Sequence, residues 1–115
     1  RPGLFHVEAG RVFYENSFFL VNNLLKRVEA PSEVVVDSLE LTNFLYDKSE
    51  SSVQTLNPIN VAGSIVYLSF KQHEPLYTLS KFKQDTGLRI NNTLKSLKKK
   101  GLMNLLEEYK SPLIL

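Results

Sequence analysis

The sequence predicts an all-α fold that ends in a helix-turn-helix unit, and three observations point to it. Apolar residues recur at helical rather than alternating spacing through most of the chain. The segment from Ile59 to about Lys71 opens on Asn57-Pro58 and is nearly apolar on every side through Leu68, so other helices must surround it. The last third is punctuated by Thr78, Gly87 and Gly101, residue types that begin and end short helices.

Taken in order, the opening to about Asn16 has no clear period, and Val12, Phe13 and Tyr14 read as a short extended piece or the tail of a linker. A first helix starts near Asn16 or Ser17, either of which can cap it. Val21, Leu24, Leu25 and Val28 line one face, Lys26 and Arg27 lie opposite, and Pro31 stops it. Ser32 caps a second helix with Glu33 in its first turn. Its stripe is Val35, Leu39, Thr42 and Tyr46, with Val34, Leu41 and Leu45 alongside. Three consecutive valines lean towards strand by propensity, but Val34–Tyr46 keeps helical order. Asp47 to Thr55 reads as a polar loop.

Asn57 followed by Pro58 combines a capping side chain with proline at the first helical position. The helix that follows is central, with Val61, Ala62, Ile65, Val66 and Leu68 at its heart. Gly63 inside it costs about 1 kcal/mol against alanine in an exposed helix, which implies that another backbone packs closely there. After Pro75, Thr78 caps a short helix running to Asp85 or Thr86, and Gly87 supplies a left-handed residue that turns the chain. Ile90, Leu94 and Leu97 form the buried face of the next helix, which closes at Gly101. Together these make a helix-turn-helix. Leu102–Tyr109 reads as helix or tail, and Ser111-Pro112 starts an apolar tail. The expected organisation is a linker or N-terminal extension over 1–15, a domain over 16–101 and a C-terminal helix or tail over 102–115.

The 115 residues suit one domain, and 43 % hydrophobic residues suffice for a core. There is no cysteine, which removes disulfides, thiolate zinc sites and a Cys nucleophile. No apolar run reaches the ~18–20 residues that cross a bilayer, and RPGLFHVEAG lacks the order of a signal peptide. The first residue is Arg1 rather than methionine, so the chain reads as a piece of a larger protein.

Net charge is +2 but unevenly placed. Residues 71–100 hold eight Lys/Arg and two Asp/Glu, a net of +6, against −3 for residues 1–70 and −1 for residues 101–115. Such segregation suggests a face for a polyanion, with a hydrated lysine face as the alternative. With Ile90, Leu94 and Leu97 inward, Asn91, Asn92, Lys95, Lys98 and Lys99 project outward and Arg89 sits at the entrance. Asn can bond adenine twice, Arg and Lys suit guanine or phosphate, and the start of a recognition helix meets base edges. Alternatively, Asn91 and Asn92 only cap the helix. Catalysis is not expected. His6 and His73 stand alone in loop-like stretches, Glu107 and Glu108 point apart on a helix, and no phosphate loop or Gly-x-Ser-x-Gly elbow is present. No metal, cofactor or small-molecule substrate is implied.

The run Pro58-Ile59-x-Val61-Ala62-x-x-x-Val66-Tyr67-Leu68 resembles the second core repeat of the transcription factor IIB family, initiation factors with tandem cyclin-like domains. After a gap of nine residues, Thr78-x-x-x-Phe82-x-x-x-Thr86-Gly87-Leu88 is similar to the first half of that family's helix-turn-helix. Upstream, Ala30-Pro31 before a long helix matches the junction of its first two helices. The likeness spans about residues 16–100 and implies a single five-helix cyclin-like repeat. It departs at Lys81, where the family usually has an acidic residue. Lys95 is the nearest counterpart of the family's promoter-reading arginine, if one residue is inserted in the turn. DNA binding rather than base-specific reading is therefore what carries over.

The resemblance implies a factor that holds double-stranded promoter DNA beside the TATA-binding protein and helps recruit RNA polymerase, in a nucleus or an archaeal cytoplasm. Two alternatives use the same residues. A winged-helix DNA-binding regulator would need a β-wing after Gly101, where NLLEEYK looks helical and lacks a hairpin signal. A cyclin-like module without DNA binding would use the helical bundle to dock proteins.

Overall fold

The computed structural model describes residues 16–53 and 56–109, and there the chain is all-helical. Six helices follow one another: α1 (residues 16–27), α2 (Ser32–Val53), α3 (Pro58–His73), α4 (Leu79–Thr86), α5 (Asn91–Lys99) and α6 (Leu102–Glu108). The expected extended piece at residues 12–14, the tail after Tyr109 and His6 lie outside the described residues. No helix among the described residues is long and apolar enough to cross a membrane.

α1 is already helical at Asn16 and Ser17, and Ser17 is buried, so the expected cap at one of these residues is not what forms. Val21, Leu24 and Leu25 are buried as their spacing requires, and Val28 is half-buried. The helix ends before Pro31. Glu29 adopts φ 50°, its N–H bonds to the Lys26 carbonyl at 3.2 Å, and the Ala30 N–H reaches the Leu25 carbonyl at 3.0 Å. This paired arrangement is the Schellman stop, normally built on glycine. Pro31 instead opens α2: its carbonyl accepts from the N–H groups of Val34 and Val35, which moves Ser32 from the cap into the first turn.

α2 departs from expectation in two ways. The stretch read as a polar loop is helix through Val53, giving 22 residues in all. Between Ser32 and Val53 there is no glycine or proline, and Ser, Asp and Lys each lose only a few tenths of a kcal/mol in a helix interior. Their polarity marks solvent, not a break. The buried face is also rotated. Val34, Asp37, Ser38, Leu41, Thr42 and Leu45 are buried, while Val35 and Leu39 are half-buried.

α3 is the element the others surround. The Asn57 side chain accepts the Ile59 N–H at 3.1 Å and Pro58 occupies the first turn, as the sequence signals. Val61 to Tyr67 are buried without interruption, and Leu68 is half-buried. α2 packs along α3, α5 packs on α3, and α6 bridges α5 and α2. Leu102 and Leu106 of α6 join the same core as Val21, Leu41 and Ile65.

One carboxylate ties three elements together. Asp37 of α2 has no exposed surface; it meets His73 Nε2 at the end of α3 and accepts the Tyr109 hydroxyl, after α6, at 3.3 Å. Tyr109 also donates to Glu40 at 3.0 Å. Burial and then the Glu40 hydrogen bond push the Tyr109 phenol well above its ordinary pKa. His73, expected in a loop, is thus the last residue of α3 and a structural partner. The reason lies in long-range packing: its acceptor is 36 residues away.

Two outcomes follow for stability. Glu29→Gly removes the left-handed strain of a side-chain-bearing residue and raises stability by about 0.5–1 kcal/mol, read as an upward shift of the thermal midpoint. Asp37→Ala leaves His73 and Tyr109 without their shared acceptor and costs about 3 kcal/mol or more in a urea titration.

Candidate nucleic-acid interface

The turn between α4 and α5 is set by local chemistry. Thr78 caps α4 by accepting the Lys81 N–H at 3.1 Å. At the other end Gly87 takes φ 76°, and its N–H bonds to the Lys83 carbonyl at 2.7 Å. A Cβ at Gly87 would meet nothing within 4 Å, so glycine is required there for its conformation, not for space. The Thr86 hydroxyl donates to the Phe82 carbonyl at 2.8 Å and accepts the Leu88 N–H at 3.2 Å, which fixes the chain as it leaves the helix.

Tertiary packing then seats the turn on α3. At Gly63 an added Cβ would lie 3.1 Å from Ile90 Cγ2, 3.2 Å from Leu88 Cδ1 and 3.5 Å from Phe82 Cζ. The close approach expected at this glycine is therefore made by side chains of the helix-turn-helix, not by a second backbone. Fully burying one such aliphatic side chain contributes about 1.5–3 kcal/mol. Tyr67 of α3 meets Phe82 edge-on at 5.8 Å, and Phe70 stacks on Tyr77 at 4.8 Å, fixing α4 from its other end. Tyr77 donates to Asp85 at 3.2 Å. Burial, and then the negative charge of Asp85, push this phenol well above its ordinary pKa.

With Leu88 and Ile90 facing inward, Arg89 between them is exposed. Ile90 occupies the cap position of α5 with no side-chain capping bond, so Asn91 and Asn92 do not cap it; they are its first two residues and are exposed. Thr93 and Leu97 form the buried side and Leu94 is half-buried, so Thr93 replaces Leu94 at the centre of the expected face. Asn91, Asn92, Lys95, Lys98 and Lys99 are all exposed. At 3.6 residues per turn they fall within an arc of roughly 120°. The outward face predicted from sequence is one contiguous surface.

The structure groups these residues more finely. Arg89, Asn91 and Asn92 share an open depression with Leu79, Ser80 and Lys83 of α4. Lys95, Lys98 and Lys99 lie outside it, further along α5. Ser80 and Lys83 escaped the sequence analysis, which credited outward contacts to the second helix alone; the signal available was Lys83's place in the basic third of the chain. The remaining cations of that third are not equivalent. Lys71 Nζ lies 3.4 Å from both the Tyr67 hydroxyl and the Tyr77 carbonyl, and Lys81 pairs with Asp85 at 3.2 Å. Among the described residues, no group of three or more His, Cys, Asp or Glu side chains is arranged to hold a metal.

No protein-family model, curated protein or solved structure matches this chain.

Because the α4–α5 turn depends on the bare backbone at Gly63, Gly63→Val forces Leu88 and Ile90 outward. It lowers stability by about 1–3 kcal/mol through overpacking. Amide spectra show the largest changes at residues 82–92, which hold the side chains facing Gly63.

Proposed function

We propose that this chain is the DNA-binding domain of a transcription initiation factor of the transcription factor IIB type, built as a cyclin-like repeat with a further helix, α6. It holds promoter DNA beside the TATA-binding protein and helps recruit RNA polymerase, in the nucleus or, in an archaeon, the cytoplasm. The observation that carries this is the single outward face of α5, where Asn91, Asn92, Lys95, Lys98 and Lys99 stand together with Arg89 on a helix-turn-helix seated on α3. A short amphipathic helix with a polar, cationic outer face suits a major groove, and most of its affinity comes from counterion release at phosphates.

The segment after Gly101, where a winged helix needs a β-wing, is the helix α6 packed into the core. A docking module without DNA binding has one observation in its favour. Leu20 and Leu24 of α1 and Ile59 of α3 line a groove together with Asn23, Lys26 and Arg27, and Phe19 of α1 is 65 % exposed.

Binding to duplex promoter DNA, with and without TATA-binding protein, is the deciding measurement. Affinity falls about 10²-fold or more between about 50 and about 200 mM salt and rises when the partner is present. Charge reversal of Lys95, Lys98 and Lys99 to Glu abolishes the association. No association of the unaltered chain with duplex DNA leaves the docking module as the better description, and unchanged association in the triple variant removes α5 as the contact surface.

A further inference from the structure

The depression between α4 and α5 holds a charge imbalance that the fold does not compensate. α4 carries two lysines with different fates. Lys81 pairs with Asp85 four residues on, along one flank of the helix. Lys83 faces the other flank and shares the depression with Arg89. Neither has an ion-pair partner among the described residues, and no carboxylate lines the depression. Two cations held at one concave surface repel each other until an anion joins them. The neutral members of the lining, Ser80, Asn91 and Asn92, all carry side-chain donors, and all are exposed.

We propose that this depression is a seat for a phosphate group of the DNA backbone. Lys83 and Arg89 neutralise the charge, and Ser80, Asn91 and Asn92 donate to the oxygens. The inference rests on the DNA-binding function above and changes the role of two residues within it. Asn91 and Asn92 hold the backbone rather than read adenine. Lys95 and Lys98, one and two turns further along α5, are left to meet base edges. A phosphate contact of this kind sets register and orientation and carries no sequence information itself. The phosphate oxyanion is common to duplex DNA and free phosphate, and the test separates them.

Duplex affinity is measured across a salt series for the 115-residue chain and for Lys83→Ala, Arg89→Ala, Ser80→Ala and Asn91→Ala, on two duplexes of different sequence. Removing either cation lowers the slope of log affinity against log salt by about 1. Ser80→Ala and Asn91→Ala weaken both duplexes by the same factor, about 3–10-fold, with the slope unchanged. All four positions are exposed, so an unchanged thermal midpoint shows that each variant folds. The proposal is overturned if neither Lys83→Ala nor Arg89→Ala lowers the slope, or if Asn91→Ala alters the preference between the duplexes.

If the unaltered chain binds neither duplex, the DNA-binding function fails by itself, and a titration with inorganic phosphate decides the seat. Saturable amide shifts at Ser80, Lys83, Arg89 and Asn91 support a phosphate site, now for free phosphate. Their absence overturns it.

Discussion

A Cβ at Gly63 would come within 3.1–3.2 Å of Ile90 and Leu88, so the bare backbone at this point lets the turn between α4 and α5 close onto α3. Those two side chains fix where α5 begins and which way Arg89 faces. The same contact orients the whole cationic surface, because α5 is only nine residues long and has no side-chain cap. Such a short helix owes its stability to packing more than to propensity. The outward face is therefore a consequence of the inward one.

Building a core around α3 means burying hydroxyls as well as methyls. The chain satisfies several of them locally. Thr42, Ser64, Ser69 and Thr86 each donate to the carbonyl four residues earlier, at 2.7–2.9 Å. A hydroxyl bonded within its own helix needs no partner elsewhere, and so it packs among apolar neighbours. Asp37 is handled differently, through His73 and Tyr109, and gives α2, α3 and the end of α6 a shared polar anchor. One kind of polar group is compatible with many packings. The other selects one, because its partners come from distant parts of the chain.

The charge pattern follows the same division between near and far. Cations in the basic third divide according to what the fold sets beside them. Lys71 is held against an aromatic group and Lys81 against Asp85, whereas Lys83 and Arg89 share a surface that no carboxylate lines. Net charge over a stretch of sequence measures the supply of cations. Which of them remain to meet a polyanion depends on neighbours brought in by folding.

The helical class, the Asn57-Pro58 and Thr78 starts, the Gly87 turn and the exposure of Asn91, Asn92, Lys95, Lys98 and Lys99 were legible in the residues alone. Each of these rests on interactions within a few residues: a side chain reaching its own backbone, a glycine free to take positive φ, or a helical period. Residues 47–53 misled because polar composition reports contact with water, which an exposed helix and a loop share. The stop at Glu29 was hidden because a glutamate carries no signal for positive φ. It took the packed fold to show that α2 buries Asp37 and Ser38 in place of Val35, that His73 is a structural partner, and that Ser80 and Lys83 of α4 line one depression with Arg89 of the turn. Those facts depend on which helix packs against which, and that is settled by the summed burial of several faces at once, not by any stretch read alone.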